Sequence, residues 1–119
     1  MTQQVKSIRI DAKGGPDVLK LVTVDLPSPG NDEVTIRQKA VGLNFLDIYF
    51  RSGLYPQPLP HGIGCEASGV VEAVGADVRH LKVGDRVAYG VSPLGAYAEA
   101  RNMPAKLVVK LPKAIGFEE

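Results

Sequence analysis

The chain has a single cysteine in 119 residues. One thiol excludes an intramolecular disulfide framework and suits a reducing compartment. Long apolar runs are also missing, so neither a signal peptide nor a membrane span is expected. The N-terminal Met-Thr-Gln-Gln-Val-Lys leads straight into a strand pattern. Cytoplasmic is the default placement on these grounds. Charge of one sign is scarce: 14 basic and 13 acidic residues leave a formal net charge of +1. No basic run exceeds two residues. Neither nucleic acid nor an anionic bilayer is therefore an expected partner.

Several chemical signatures are missing too. No G-x-G-x-x-G turn joins a strand to a helix, so the chain lacks the main grip on a dinucleotide pyrophosphate. Its nearest glycine cluster, Gly62-Ile63-Gly64, leads into a strand instead. No G-x-S-x-G elbow exists, and two histidines do not make a triad. A catalytic zinc site needs three protein ligands and an open position. The candidates are Cys65, His61, His80 and carboxylates. His80, near a turn beside Arg79, reads as solvated, and His61, after Pro60, as bonded to backbone. No metal is expected.

What the chain does have is punctuation. Glycine and proline total 13 and 9 and are spread throughout rather than gathered in a linker. That distribution fits many short strands joined by turns, in one domain by length. Strands are expected at Lys6–Asp11, Val18–Leu26, Glu33–Val41, Gly64–Val74, Asp85–Val91, Gly95–Arg101 and Lys106–Leu111. In Glu33–Val41, Val34, Ile36 and Ala40 alternate with Thr35, Arg37 and Lys39, which reads as one wet face. Residues 55–60 must be extended, because three prolines disfavour helix. Seven or eight strands with one or two short helices close most easily as a barrel or packed sheets. Pro112–Glu119 reads as the start of a linker or helix.

Asn44–Ser52 is the one convincing helix. Asn44 can cap it, Asp47 sits at the capping-box position and Gly53 can end it in a left-handed conformation. Phe45, Ile48 and Tyr49 share a face at i, i+3, i+4. Local physics alone makes Asn44 and Asp47 a cap and its partner. Tyr49 and Tyr55 are six residues apart, and each can bury a ring while its hydroxyl stays wet. Cys65 reads as a small buried hydrophobe with an ordinary thiol, since no cation adjoins it. Glu66 reads as a mid-strand structural carboxylate, and Arg51 either pairs with it or faces solvent.

Two stretches carry a family resemblance. Gly64–Val87 reads G-C-E-A-S-G-V-V-E-A-V-G-A-D-V-R-H-L-K-V-G-D-R-V, and Leu43–Tyr55 reads L-N-F-L-D-I-Y-F-R-S-G-L-Y. Together they resemble the catalytic domain of the medium-chain dehydrogenase/reductase superfamily, from about Val5 to Glu119. Zinc alcohol dehydrogenases of that superfamily read G-H-E where this chain has Cys65, and carry a metal-binding cysteine where it has Asn44. The pattern is similar to the zinc-free NADPH:quinone oxidoreductases related to zeta-crystallin.

The resemblance implies a mainly β fold, a GroES-like, partly open β-barrel at residues 1–111. Residues 112–119 would begin the linker to a nucleotide-binding domain that the chain lacks. It implies hydride transfer from NADPH to a quinone or conjugated carbonyl in an intact, homodimeric enzyme, with this piece alone inactive. Asn44, Phe45, Leu46, Asp47, Ile48 and Tyr49 would form the cofactor-facing strip. Tyr49 and Tyr55 would flank the quinone ring and donate a hydrogen bond to its oxygen, with the proton donor left open. An enone or alkenal reductase of the same superfamily fits the same features. Lys82-Val83-Gly84-Asp85-Arg86-Val87 also resembles the turn of a GroES-type co-chaperone, and a plain binding module is a further alternative.

Overall fold

The computed structural model describes residues 2–90 and 93–119. Eight strands and one helix follow in order: β1 (Gln3–Ile10), β2 (Lys20–Leu26), β3 (Glu33–Val41), α1 (Phe45–Ser52), β4 (His61–Gly62), β5 (Ala67–Val74), β6 (Arg86–Tyr89), β7 (Ala100–Pro104) and β8 (Val109–Lys110). Two single 3-10 turns, Pro16–Val18 and Ala105–Leu107, complete the set. Every pairing is antiparallel, in a three-stranded sheet β2-β1-β4 and a five-stranded sheet β7-β3-β5-β6-β8. The two sheets do not close into one ladder. This is the mainly β, partly open GroES-like arrangement expected from the sequence.

Residues 95–99 join the sheets. This segment was expected as strand, but β7 starts only at Ala100. Its backbone groups instead serve several partners. Gly95 and Ala96 donate to the Gly64 carbonyl (2.9 and 3.1 Å), and Tyr97 donates to Ile63 (3.0 Å). Tyr97 accepts from Ile8 (2.8 Å), Glu99 donates to Lys6 (2.9 Å) and Gln38 donates to Glu99 (2.9 Å). A regular strand could not divide its hydrogen bonds this way.

The core lies inside the five-stranded sheet. Val34, Ile36, Val71, Val87 and Met103 are almost wholly buried there. The expected wet face of β3 is wrong at Thr35, which is buried. Register shifts between Thr35 and Ile36 and between Gln38 and Ala40 break the strict alternation. Thr35 donates from its hydroxyl to Asn102 Oδ1, and Asn102 Nδ2 donates to the Pro27 carbonyl, so the chain after β2 covers this face.

Other boundaries move for local reasons. β2 begins at Lys20 because Pro16 starts a 3-10 turn through Val18. β5 begins at Ala67 because Gly64 has φ +98°. β6 ends at Tyr89, and Val91 lies outside the described residues. Ala105–Leu107 is a 3-10 turn, which leaves β8 only two residues. Pro112–Glu119 forms turns rather than a helix. Its turns lie on β5 and β6, where Ser68 donates to Phe117 O, Arg86 Nη2 donates to Ile115 O (2.6 Å), and the Arg86 guanidinium sits 4.6 Å from the Phe117 ring centre.

Candidate active site

Helix α1 forms where the sequence predicts it. Asn44 is the cap residue, and Asp47 accepts the Asn44 backbone N–H at 3.0 Å. Gly53 ends the helix at φ +91°, a conformation that costs other residues a steric penalty. The Gly53 and Tyr55 N–H groups both return to the Tyr49 carbonyl, at 3.1 and 3.2 Å. The far end docks through Arg51, whose Nε donates to Gly14 O at 3.0 Å. Arg51 therefore neither pairs with Glu66 nor faces solvent alone.

The helix inverts the usual burial rule. Its only buried residue is an acid, Asp47, which is 4% exposed. Its apolar residues face out: Phe45 is 77% exposed and Ile48 is also exposed, with Leu43, just before the helix, at 83%. Leu46 and Tyr49 are half-buried. The Asn44 side chain turns toward β5, where Nδ2 donates to Glu66 Oε2 at 2.9 Å. Glu66 precedes β5 rather than sitting within it, and it is exposed. A groove of about 570 Å³ lined by Ile8, Leu21, Val41, Leu43 and Tyr97 adjoins this strip.

Behind the strip lies a polar cluster of buried Asp47 and Cys65 and half-buried Tyr97. Asp47 Oδ2 accepts the Tyr97 hydroxyl at 2.6 Å, and Asp47 Oδ1 lies 4.0 Å from Cys65 Sγ. Burial, then the charges of Asp47 and Glu66, push the Cys65 thiol above its ordinary value. The thiol is thus buried as expected but is not ordinary in acidity. Burial, then the hydrogen bond to Asp47, hold the Tyr97 hydroxyl above the usual phenol range. Tyr97 did not figure among the sequence candidates. Its one local signal is a large phenol among small residues, in Gly95-Ala96-Tyr97-Ala98.

Tyr49 and Tyr55 come together differently from the expected flanking pair. Their rings touch edge to face, with centres 5.3 Å apart and planes at 67°. Tyr55 also meets Phe50 at 5.8 Å. No aromatic ring fits between the two tyrosines in this arrangement, although Tyr55 is 45% exposed and offers a free face. His61 Nδ1 bonds to the Gly62 carbonyl at 2.7 Å. His80 is not simply solvated, since Nε2 donates to Ala105 O at 3.1 Å. Among the described residues, no three His, Cys, Asp or Glu side chains gather into a metal-binding group, and no helix is long and apolar enough to cross a membrane.

Two open antiparallel sheets around an apolar core, with one capped helix at the rim, define a GroES-like domain. Residues 30–113 match the alcohol dehydrogenase GroES-like domain family, and the chain belongs to it. It is 51% identical over 115 residues to a quinone oxidoreductase of Pseudomonas aeruginosa, covering 96% of this chain and 35% of that protein. The structure is similar to that of quinone oxidoreductase from Pseudomonas syringae pv. tomato DC3000, with TM-score 0.93 and 53% identity over 96% of this chain and 35% of that one. It is equally similar to Escherichia coli quinone oxidoreductase in complex with NADPH, with TM-score 0.93 and 47% identity over 95% of this chain and 35% of that one. The chain spans about a third of the length of these relatives.

Proposed function

We propose that this chain is the substrate-side domain of a zinc-independent, cytoplasmic NADPH:quinone oxidoreductase. The observation that carries this reading is the strip at the start of α1, where exposed Leu43, Phe45 and Ile48 flank the polar pair Asn44–Glu66. A nicotinamide ring with its carboxamide has the same division into an apolar face and a polar edge. The donor set therefore fits the nicotinamide half of NADPH. It does not fit the pyrophosphate, for which no glycine-rich turn opens a helix in this sequence.

In this reading residues 1–111 form the domain and residues 112–119 lead toward a nucleotide-binding domain. Asn44, Phe45, Leu46, Ile48 and Tyr49 are the cofactor-facing residues, with Asp47 supporting them from behind. Bound NADPH supplies the hydride, while the protein supplies position and electrostatics. Tyr55, with Tyr49 braced against its edge, offers the quinone a ring face and a phenol donor. The substrate stacks on the exposed side of this pair instead of between the rings. The similarity to quinone oxidoreductases supports the choice of a quinone, and the intact enzyme is a homodimer in this reading.

The test compares residues 1–119 with the product of the complete reading frame, following NADPH oxidation with 1,4-benzoquinone. Residues 1–119 alone should give no turnover. The complete product should turn over, and EDTA should leave its rate unchanged. Enzyme-like turnover by residues 1–119, or loss of activity with the chelator, would overturn the reading.

A further inference from the structure

We propose that Tyr97 is a positioning residue for the Asn44–Ile48 strip, acting through the buried Asp47. The functional part of this inference rests on the reading above, but its structural part does not.

Asp47 is the one acidic side chain buried among the described residues. Neither of the ion pairs there, Arg37–Glu72 and Lys110–Asp85, involves it. A buried carboxylate without a cation needs hydrogen bonds. Asp47 takes one from the Asn44 backbone at 3.0 Å, which is local to the helix, and one from Tyr97 at 2.6 Å, fifty residues away. The second joins the helix start to the distant segment 95–99, alongside the Asn44 Nδ2–Glu66 contact and the 4.0 Å approach of Cys65 Sγ to Asp47.

Tyr97 is itself held from three sides. Its N–H bonds to Ile63 (3.0 Å) and its carbonyl accepts from Ile8 on β1 (2.8 Å). Its ring lies over Gly64, where an added Cβ would stand 2.6 Å from the ring carbon Cδ1. The hydroxyl is therefore fixed relative to β1 and the connection between β4 and β5. Because Asp47 is the sole buried residue of α1, this bond anchors the helix start from its buried side, as Arg51–Gly14 anchors its end. Burial and the bond to Asp47 raise the pKa of the Tyr97 hydroxyl, so it stays protonated and a donor through the neutral range. With the anchor in place, Asn44 meets Glu66, and Phe45 and Ile48 stand in fixed outward positions.

Tyr97→Phe, Asp47→Asn and the double variant test this in the complete gene product. Tyr97→Phe should speed amide exchange at Asn44 and Asp47 by roughly tenfold, the scale of one hydrogen bond lost to a charged group. Exchange at Ile36 and Val71 should stay within about twofold. In NADPH:quinone assays KM for NADPH should rise about fivefold, with kcat within about twofold, because the anchor orders a binding surface. In the Asp47→Asn background, Tyr97→Phe should add less than about twofold, since both changes remove one interaction.

Uniform acceleration of exchange, no change at Asn44, or additive effects on KM would overturn the role of Tyr97. If Tyr97→Phe fails to fold, Asp47→Asn alone must show the same local pattern of exchange, and failure to do so overturns the role. A wild-type product with no NADPH turnover would sink the quinone-reductase reading, while the exchange data still decide whether Tyr97 anchors the helix.

Discussion

The β3–β5 pair and the start of α1 treat the same residue types in opposite ways. On the strands Val34, Ile36 and Val71 disappear into the core, and charged residues stay outside. On the helix an aspartate is buried, while Leu43, Phe45 and Ile48 are left in contact with water. The first arrangement is what the hydrophobic effect alone produces. The second opposes it, and exposed apolar side chains of this kind are what the proposed cofactor contact would cover. The strands hold the fold together, and the helix start is held by the fold for another purpose.

The sharpest way to break this comparison is to truncate the same kind of side chain on the strand side. Ile36 is fully buried between β5 and β7. Ile36→Ala should destabilise the domain by about 2–5 kcal/mol, from lost burial plus the cavity left behind. Chemical denaturation followed by circular dichroism measures this directly. A loss below about 1 kcal/mol would mean that the five-stranded sheet is not the main source of stability.

Local signals were legible on both sides. Alternation in Glu33–Val41 located β3, and Asn44, Asp47 and Gly53 located both ends of α1, because periodicity and caps are local signals. What escaped was non-local. Thr35 is buried because the chain near Pro27 returns across it, and nothing within β3 encodes that return. Residues 95–99 read as the start of a strand, yet their hydrogen bonds are divided between β1, β3 and residues 63 and 64. The same limit hid the most connected member of the site. Asp47 was visible as a capping residue, but its bond to Tyr97 spans fifty positions and leaves no spacing to read. Glu66 was legible as a carboxylate beside glycines, whereas its partner, Asn44, emerged only when β5 was placed next to the helix start.

A smaller effect should come from the polar cluster behind the strip, and it depends on pH. Folding raises the pKa of both Cys65 and Tyr97, making each a weaker acid. In the unfolded chain these groups ionise near their ordinary values of about 8.5 and 10. The unfolded state therefore loses its protons first as pH rises. The stability these groups contribute is complete below about pH 8 and shrinks above it, by at most about 1.4 kcal/mol per pH unit for each group. Urea denaturation at pH 7.5, 9 and 10 should show a falling midpoint, with a smaller fall in Cys65→Ala. A midpoint that holds or rises to pH 10 would contradict the partly buried Asp47–Tyr97–Cys65 arrangement.

The smallest effect on stability should come from the exposed side of the comparison. Phe45 is larger than the aliphatic core residues, but it is mostly in water and sits at the first position of α1. Phe45→Ser gives up almost no burial, and serine is well tolerated at a helix start. Denaturation should therefore place this variant within about 0.5 kcal/mol of the parent. If the strip binds the nicotinamide half of NADPH, the same substitution should raise KM for NADPH several-fold in the complete gene product, by removing an apolar contact made in the bound state. A stability loss above about 1 kcal/mol would show that Phe45 belongs with the core after all. Unchanged stability together with an unchanged KM would remove Phe45 from the binding surface. The exposed strip would then need an occupant other than the cofactor.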